Sequence, residues 1–586
     1  MKTKEDIRRF CIEIAEEIMQ NPDVDIEEMK MRIGAKYKIS MIKNARIISL
    51  LPKNLKTKLV IKKLGTRFTR TGSGVTPIAL MPKPFPCPGR CTYCPTAEID
   101  EESGQMRAPK AYTGFEPATM RAIQNKFDAK KQIEMRISQY EALGQATSKC
   151  ELIVMGGTFL SVPLDYQNKF IHQCYDALNG KKSKTIAGAQ KMNEKAKHRM
   201  IGMTIETRPD WCKEAHIDRM LTWGATRVEL GVQTIDDEVL EKVQRGHDVA
   251  ETVRATKDLK NSGFKVCYHF MPGLYSSRKK DVEMLGKLFS EERFCPDMLK
   301  LYPCLVMPGT KLYNEWKAGR FEPIGSEEAV ERIVLATKYF PPWVRIMRMQ
   351  RDIPAGKISD GVKNGNLHQM VSDELERRGM RCQCIRCREI FSMQRRGKVH
   401  EASAGFMRTD EKDNALNEIG FESKMNLETD REENNDFGGG KNNASGGREN
   451  FKSKMNFGMV ERKYNASGGM EHFISFEDGE NDLIAGFVRL RFHSGSWRKE
   501  ITDGTALIRE LHVYGSEIGV DTQNLAKKED SAQHMGFGKK LLERAEEIAR
   551  EDGKEKMAVI SGVGAREYYR KLGYSLEGAY MCKKLV

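Results

Sequence analysis

Over residues 75–349, the pattern of hydrophobic and polar positions alternates between stretches typical of strands and stretches typical of helices. Short apolar runs predict strands, and the segments between them place apolar residues on one face of a helix. The predicted strands are 78–81, 152–155, 200–205, 227–232, 265–271, 298–305 and 344–349. The clearest predicted helices are 118–143, 165–178 and 249–263. Strands that alternate with helices predict a parallel sheet with crossover helices, so residues 73–360 are expected to form a partial (β/α) barrel.

The amino-terminal part of the chain, residues 1–72, is predicted to be helical and basic. Ile7, Phe10, Ile14 and Ile18 recur on one face of a first helix, and shorter helices are expected near 26–33 and 39–51. A stretch with few acidic residues follows and can neutralise nucleic-acid phosphates. Its cations are Lys53, Lys56, Lys58, Lys62, Lys63, Arg67 and Arg70. The alternative is a solvated linker surface.

The carboxy-terminal part, residues 471–586, has a mixed pattern. Antiparallel strands are predicted at 473–476, 483–492 and 505–514, before a helix that ends near 551, a strand at 557–561 and a final hairpin. The turn formed by Gln533, Gly536 and Gly538 exposes backbone amides where that helix begins, which suits a pyrophosphate. A Tyr-Tyr pair follows one strand later, and this order of elements is similar to the GNAT acetyl-CoA-binding fold.

Residues 409–470 are rich in Asn, Gly, Glu and Lys and poor in aliphatic side chains. The motif F-E-S-K-M-N at 421–426 recurs as F-K-S-K-M-N at 451–456. This composition predicts a disordered, partly duplicated insertion without a catalytic role.

Composition narrows the class of protein. The chain has 586 residues and a formal net charge of +15, which favours an anionic partner such as nucleic acid. Its 14 cysteines fall into two clusters and scattered singles, which is typical of metal sites in a reducing compartment. No signal peptide is expected, and no apolar run reaches the roughly 18 residues of a membrane span. A cytoplasmic protein is predicted.

A cysteine triplet follows the first predicted strand. Cys87, Cys91 and Cys94 have the spacing C-x3-C-x2-C, and no fourth Cys or His lies near this loop. Three thiolates can hold a 4Fe–4S cluster and leave one iron open for S-adenosylmethionine, which an electron then cleaves to a 5′-deoxyadenosyl radical. Tyr93 can shield the cluster. The alternatives are a zinc knuckle, which needs four ligands, and three buried thiols.

Polar and glycine residues end several of the predicted strands. Chemistry in (β/α) barrels lies at the carboxyl ends of the strands, so these residues are expected to line one mouth. Each alone is equally compatible with a loop or a hydrogen bond in the core. The candidates for binding S-adenosylmethionine are Gly156, Gly157, Thr158, Glu206, Glu229 and Gln233.

A second cysteine motif lies in residues 361–408. Cys382, Cys384 and Cys387 form C-x-C-x2-C, and His368 on a predicted helix is the candidate fourth ligand. A closed tetrahedral Cys3His site predicts a structural zinc ion. It would tie the barrel's extension to the carboxy-terminal domain.

Local motifs resemble the catalytic subunit of Elongator in its archaeal form. They include Y-T-G-F-E-P at 112–117, V-M-G-G-T-F at 154–159, T-I-E-T-R-P-D at 204–210 and I-S-G-V-G-A-R-E-Y-Y-R-K-L-G-Y at 560–574. The resemblance runs from about residue 53 to the end, apart from the insertion. It implies an α/β partial barrel of the radical SAM type, a C-terminal GNAT α+β domain and a basic helical amino-terminal region.

This resemblance also implies an activity, the placement of a carboxymethyl group on C5 of the wobble uridine in the tRNA anticodon. The GNAT domain would supply acetyl-CoA, and the deoxyadenosyl radical would remove a hydrogen from its methyl group. The carbon radical would add to C5, and hydrolysis of the thioester would leave the acid. The reaction needs an electron donor for the cluster and the single-stranded anticodon loop, whose base can be splayed out. A homodimer is left open.

By the same resemblance, acetyl-CoA contacts fall on the GNAT domain and on one lysine of the barrel. They are Lys149, Glu510, Leu511, His512, Val513, Gln533, Gly536, Phe537, Gly538, Lys539 and Tyr569. Lys149 would reach across from the barrel, although a surface lysine is the alternative. The candidate catalytic residues are Lys149, Tyr568 and Tyr569.

Rival functions remain at this stage. A protein lysine acetyltransferase with a structural iron–sulfur barrel would keep its activity without Cys87, Cys91 and Cys94. A non-catalytic RNA-binding scaffold would cleave no S-adenosylmethionine. A methylthiotransferase would need a second cluster motif, which the sequence lacks.

Overall fold

A computed structural model describes residues 4–39, 42, 44–55, 57–64, 74–96, 106–143, 145–390, 456–514 and 536–585. Helices α1–α4 come first, at Lys4–Gln20, Ile26–Tyr37, Asn44–Leu50 and Lys58–Leu64. Phe10, Ile14 and Ile18 are fully buried in the small apolar core of this unit, which confirms the predicted amphipathic face. Helix α2 begins where the Asp25 carboxylate accepts a hydrogen bond from the Glu28 backbone amide, and so satisfies one free N–H.

Seven parallel strands follow in sequence order and form one sheet, β1 to β7. Their bounds are Thr76–Leu80, Lys149–Val154, Arg199–Thr207, Arg227–Gln233, Lys265–Phe270, Met298–Leu301 and Arg345–Arg348. Each strand pairs only with its neighbours in the chain, and β1 does not pair with β7, so the barrel stays partial. The alternating pattern of the sequence therefore predicted the sheet correctly.

Helices cover this sheet. They are α5 Pro117–Gln124, α6 Ala129–Ala142, α7 Leu164–Asn179, α8 Ile186–Asn193, α9 Glu214–Thr222, α10 Asp237–Lys242, α11 Val249–Asn261, α12 Arg278–Ser290, α13 Lys311–Lys317 and α14 Ser326–Ala336. The single helix predicted over 118–143 is wrong, because the chain breaks between α5 and α6. Lys126 and Phe127 have φ values of +50° and +56°, which no α-helix accommodates. Asp128 then caps α6 through the Lys131 amide.

A linker leads from the barrel to the second lobe through α15 Leu367–Arg377 and α16 Ile385–Arg388. The second lobe is a mostly antiparallel sheet of β8 to β14, in the order β13-β14-β12-β11-β10-β9-β8. Its strands are Gly458–Ala466, Gly469–Asp478, Leu483–Phe492, Thr505–Val513, Lys556–Val559, Ser575–Glu577 and Tyr580–Lys584. Helices α17 Phe537–Glu551 and α18 Arg566–Arg570 complete it.

The predicted insertion ends too late at residue 470. Residues 458–470 form β8 and the turn into β9, and Met459 to Ala466 pair along β9 in an unbroken antiparallel register. Polar residues hid this edge strand, because Ala466 is the single fully buried residue of β8 and the others are exposed or half-buried. The remainder of that insertion, residues 409–455, lies outside the described residues.

The second lobe closes the amino-terminal end of the barrel, opposite the cysteine loop. Trp343, just before β7, stacks on Tyr464 of β8 with ring centroids 4.2 Å apart. Arg509 on β11 donates hydrogen bonds of 2.8 and 2.5 Å to Asp297, which precedes β6. The main apolar core continues without a break from the barrel into the second sheet. The two lobes are therefore one packed body.

Among the described residues, no helix combines the length and the apolar character that crossing a bilayer demands.

Candidate active site

The cysteine loop follows β1 and opens into a cavity of about 890 Å³. Cys87, Cys91 and Cys94 all line this cavity. The loop is fixed from two sides, since the Thr92 amide donates to the Val243 carbonyl at 2.9 Å and the Thr92 carbonyl accepts from Leu312 at 3.0 Å. The structure thus brings the three predicted cluster ligands to one mouth of the barrel, at the carboxyl ends of its strands.

Two buried arginines, Arg208 and Arg245, make the surroundings of this loop electropositive. Arg245 Nη1 lies 3.4 Å from Cys91 Sγ. Burial raises the pKa of Cys91, but the charge of Arg245 and this hydrogen bond outweigh it and bring the pKa below its usual value. Burial, with the neighbouring Cys91 thiolate, raises the pKa of Cys94 to about 12. The charge of Arg245 therefore favours the thiolate form of Cys91, whereas burial favours the protonated form of Cys94 until a metal binds it.

Unused hydrogen-bond donors of these arginines point to an anionic group. Arg208 holds Asp210 with Nε and Nη2 at 2.9 and 2.7 Å, whereas its buried Nη1 has no partner among the described residues. Arg245 Nε is likewise buried without one. Three thiols beside orphaned guanidinium donors fit an iron–sulfur cluster, because hydrogen bonds to ligand sulfurs and nearby charge stabilise such clusters.

Most of the predicted S-adenosylmethionine residues line the same cavity. Gly157, Thr158, Glu206, Glu229 and Gln233 do so. Gly156 has a φ of +127° and is not a lining residue; its amide lies 3.3 Å from Glu206. Glu206 also accepts a hydrogen bond of 2.6 Å from the Tyr112 hydroxyl. Gln233 holds a φ of +72° where β4 ends, which is strained for a residue with a side chain.

The GNAT strand β11 reaches the cavity from the opposite end of the barrel. Glu510, Leu511 and His512 line it, together with the cysteines. Glu510 accepts a hydrogen bond of 2.9 Å from Arg489 and lies 3.8 Å from Lys265 at the start of β5. Burial lowers the pKa of His512 to about 4, so this imidazole is neutral at physiological pH. One cavity therefore joins the two lobes through the interior of the barrel.

Strands β11 and β12 pair along only part of their length, and the end of β11 beyond this pairing is here called the wedge. They pair in parallel only from Thr505 to Ile508, after which β11 continues to Val513 while β12 ends at Val559. Helix α17 begins beside this wedge, where Gly536 has a φ of +73°. A strand edge left unpaired beside a helix amino terminus can accept an extended ligand that carries phosphate.

Five predicted acetyl-CoA residues lie at the wedge rather than along the shared cavity. Tyr569 is buried in the second core, and Tyr568 is 41% exposed over the start of α17. A side chain at position 538 would lie 3.0 Å from the Tyr568 hydroxyl. Those five residues are Gly536, Phe537, Gly538, Lys539 and Tyr569, and the catalytic candidate Tyr568 lies with them, whereas Gln533 lies outside the described residues.

Lys149 is the first residue of β2, at the end of the barrel that the GNAT lobe covers. Its register partner is Arg199 of β3, and Gly564 of the GNAT lobe packs against Arg199. Lys149 does not line the cavity that the cysteines share. Its position is compatible with the predicted contact to acetyl-CoA from the barrel side.

Comparisons with known proteins agree with this two-lobed arrangement. Residues 86–289 match the Radical SAM superfamily, 296–377 its C-terminal domain and 448–574 the acetyltransferase (GNAT) family. A tRNA uridine(34) acetyltransferase of Methanocaldococcus infernus is 43% identical over 99% of this chain and 100% of its own length. The human Elongator complex protein 3 is 37% identical over 100% of this chain and 97% of its own.

The chain belongs to the Elongator complex protein 3 family. A solved structure of the archaeal M. infernus Elp3 without its residues 1–46 shares the fold, with a TM-score of 0.67 and 40% identity, and covers 87% of this chain and 99% of that chain. The predicted resemblance and fold class are therefore confirmed. The radical SAM and GNAT lobes of this family member meet at one cavity.

In this family member, sequence reasoning missed the buried cations that face the cavity. Lys300 stands in the apolar strand M-L-K-L and contacts Glu229. Arg245 stands in the sequence R-G-H at 245–247 and had no predicted role. The lysine in this apolar strand was the signal that could have found the group, because a charged residue is rarely buried without a partner.

The second cysteine motif lies between the matched regions of the family. Cys382, Cys384 and Cys387 place their sulfurs within 4.8 Å of one another, which suits a single metal ion. His368 is not part of that group and lines the shared cavity instead, and no other His, Cys, Asp or Glu of the described chain joins the three thiols. The three cysteines are thus brought together as predicted, without the predicted fourth ligand.

The predicted tRNA-binding cations fall largely beyond what can be described. Lys56, Arg67 and Arg70 lie outside the described residues, as do the side chains of Lys53, Lys58 and Lys62. Lys63 Nζ lies 3.9 Å from the exposed Asp23 carboxylate. The tRNA role of this stretch remains a prediction.

Proposed function

We propose that this family member modifies tRNA, by placing a carboxymethyl group on C5 of the wobble uridine. Acetyl-CoA would provide the two carbons and S-adenosylmethionine the radical. The observation that carries the proposal is the single cavity lined by both the cysteine loop and GNAT strand β11. Forming a C–C bond from a thioester methyl group requires the radical and the thioester in the same space, and direct acyl transfer cannot form that bond.

Cys87, Cys91 and Cys94 would hold the 4Fe–4S cluster. When bound, the cluster supplies the electron that cleaves S-adenosylmethionine to a 5′-deoxyadenosyl radical. Gly157, Thr158, Glu206 and Gln233 are proposed to bind that cofactor, and the Tyr112 hydroxyl keeps the Glu206 carboxylate in place at 2.6 Å. The protein's contribution is orientation and the exclusion of solvent.

The GNAT lobe would hold acetyl-CoA. Backbone amides at the start of α17 suit the pyrophosphate, and the edge of β11 beyond Ile508, which β12 does not pair, suits the amides of the pantetheine arm. Glu510 and His512 of β11 line the cavity inside the barrel, and the thioester would lie beside them. The neutral imidazole of His512 can accept or donate a hydrogen bond there without adding a charge.

A protein lysine acetyltransferase is a weaker explanation of this geometry. A lysine substrate would have to reach β11, but the barrel covers that side of the strand through the Arg509–Asp297 and Glu510–Lys265 pairs. A single-stranded anticodon loop can instead present a splayed-out base at the other mouth, beside the cysteine loop. The excess of basic residues over acidic ones supports a nucleic-acid partner.

Mass spectrometry tests the proposal directly. The cluster is reconstituted anaerobically, and the enzyme is incubated with tRNA, S-adenosylmethionine, a reductant and acetyl-CoA deuterated at the methyl group. The expected products are a wobble carboxymethyluridine that keeps two deuterons and 5′-deoxyadenosine that has gained one. A Cys91→Ala variant is expected to give neither. Unlabelled 5′-deoxyadenosine, or an acetylated rather than carboxymethylated nucleoside, would disprove the reaction.

A further inference from the structure

A carboxylate, an imidazole and an ammonium group meet inside the barrel on three neighbouring strands. Glu229 of β4 keeps 1% of its side chain exposed, whereas His269 of β5 keeps 15% and Lys300 of β6 keeps 13%. His269 Nε2 lies 2.9 Å from Glu229 Oε2, and Lys300 Nζ contacts the same oxygen. All three side chains line the shared cavity, so the imidazole and the ammonium group are accessible above a buried carboxylate.

This arrangement fixes the imidazole. A carboxylate that accepts a hydrogen bond from one ring nitrogen sets the tautomer and stabilises the imidazolium that forms when the other nitrogen takes a proton. The Tyr302 and His269 rings pack in a T-shaped arrangement with centroids 5.4 Å apart, which limits rotation of the imidazole. His269 is therefore oriented as general bases are in hydrolases, with one nitrogen left for a water molecule.

The same residues are poorly suited to a metal ion. Cys267 lies within 4.8 Å of Glu229 and His269, so the three offer ligand atoms. However, Lys300 contacts the carboxylate and Arg227 Nε lies 3.8 Å from its other oxygen. A divalent cation would meet two positive charges at close range in a buried site. This group of side chains is therefore better suited to hold a general base than to bind a cation.

We propose that His269, oriented by Glu229, is the general base that hydrolyses the thioester after the carbon–carbon bond has formed. This inference rests on the proposed function, which leaves a thioester that must become an acid. His269 takes a proton from water, and the water oxygen bonds to the thioester carbon. The carbon–sulfur bond then breaks, and the thiolate of coenzyme A leaves with the proton from the imidazolium. Lys300 stabilises the oxyanion and then the product carboxylate.

The assignment also changes the role expected for Glu229. It was a candidate for S-adenosylmethionine, but its carboxylate is already occupied by Lys300 and His269. Glu229 becomes a positioning residue for the base, and Glu206 remains with the cofactor. The two residues are register partners on the neighbouring strands β3 and β4. Variants of each can therefore show whether the two carboxylates have separate roles.

The test uses the reconstituted full-length enzyme with tRNA, S-adenosylmethionine, reductant and acetyl-CoA. Three products are measured: 5′-deoxyadenosine, free coenzyme A and the wobble nucleoside. For His269→Gln, we expect 5′-deoxyadenosine to form at the wild-type rate. Release of coenzyme A should fall by about 10²-fold or more, which is the usual contribution of a general base. The tRNA should then carry coenzyme A as a thioester adduct, which hydroxylamine converts to a hydroxamate.

Two further variants separate catalysis from folding. Glu229→Gln should lower kcat for coenzyme A release without changing the KM for acetyl-CoA, and Glu229→Asp should restore part of it. His172→Gln is the matched control, because His172 lies on α7 and contacts Ser183 at 2.6 Å outside the barrel interior. It should behave as wild type.

Two results would overturn the inference. His269→Gln could release coenzyme A and give the free acid at the wild-type rate. Alternatively, 5′-deoxyadenosine could fall in parallel with coenzyme A in either variant, which would place the pair in the cofactor site. Failure of the proposed function is distinguishable, because the wild-type enzyme itself would then form no carboxymethyluridine.

Discussion

The buried charges between the two lobes predict a large loss of stability when one carboxylate is removed. Asp297 of the barrel receives two hydrogen bonds from Arg509 and lies 3.7 Å from both Lys260 and Arg489. The side chains of all four residues are at most 1% exposed. Asp297→Asn keeps the shape of the side chain and removes its charge, so three buried cations lose their shared anion.

The magnitude follows from the cost of an uncompensated buried charge. Removing one partner of a buried ion pair typically costs about 3–5 kcal/mol. Burial lowers the pKa of Lys260, so this residue can release its proton in the variant and relieve part of the repulsion. Two other carboxylates remain in the variant and each neutralises one cation, since Glu471 lies 2.9 Å from Arg509 and Glu510 lies 2.9 Å from Arg489. We therefore expect Asp297→Asn to lower the free energy of unfolding by about 3 kcal/mol, near the lower end of that range.

Urea unfolding followed by tryptophan fluorescence measures this loss, because Trp343 is fully buried at the same interface. Asp218→Asn is the matched control, since its carboxylate also joins the lobes, 2.8 Å from Arg498, but is 39% exposed. The control should lose at most about 1 kcal/mol. Equal losses in the two variants would refute the argument that burial makes the Asp297 charge essential.

Three other predictions concern the metal sites and acid stability. Cys94→Ala should abolish bound iron, measured by metal analysis, and cleavage of S-adenosylmethionine, measured as 5′-deoxyadenosine. The control Cys212→Ala, in the barrel core, should keep both. Iron retained by Cys94→Ala would contradict the assignment. Cys384→Ala should lose a metal ion that purified wild-type protein retains, and unchanged metal content would exclude a site there. Burial raises the pKa of Glu477, but Arg462 and Arg388 lower it to about 2 overall. Because the folded pKa is depressed, this stabilisation of about 3 kcal/mol is present above the pKa of the unfolded chain and lost as the pH falls toward 2. Glu477→Gln should therefore lose less stability than wild type between neutral pH and pH 2, and parallel pH profiles of unfolding would contradict this.

Much of the fold and part of the site were accessible from the sequence. The strands of the barrel were predicted within a few residues, because a buried parallel strand needs a continuous apolar run. The spacing of Cys87, Cys91 and Cys94 fixed one loop after one strand, and the barrel rule then placed that loop at the carboxyl ends of the strands. These signals can be detected in the sequence because each depends on residues that are close together in the chain.

Predictions from local sequence patterns were wrong where the backbone conformation of one or two residues, an exposed edge strand or a long-range contact determined the structure. The break between α5 and α6 depends on the left-handed Lys126 and Phe127, which sit in a sequence with good helical periodicity. Strand β8 was not predicted because all its residues except Ala466 are exposed or half-buried, and it lies next to low-complexity sequence. His368 was placed beside the second cysteine motif from spacing alone, and the fold directs it to the cavity instead.

By itself, the sequence determined the succession of strands and helices, the cysteine loop and the family. Only the tertiary structure decided that the GNAT lobe covers the amino-terminal end of the barrel, where Asp297 receives Arg509. Only it showed that Glu229, His269 and Lys300 meet inside the barrel. The reason is physical: such contacts join residues far apart in the chain, and they form only when burial removes charged groups from water and leaves them one another as partners.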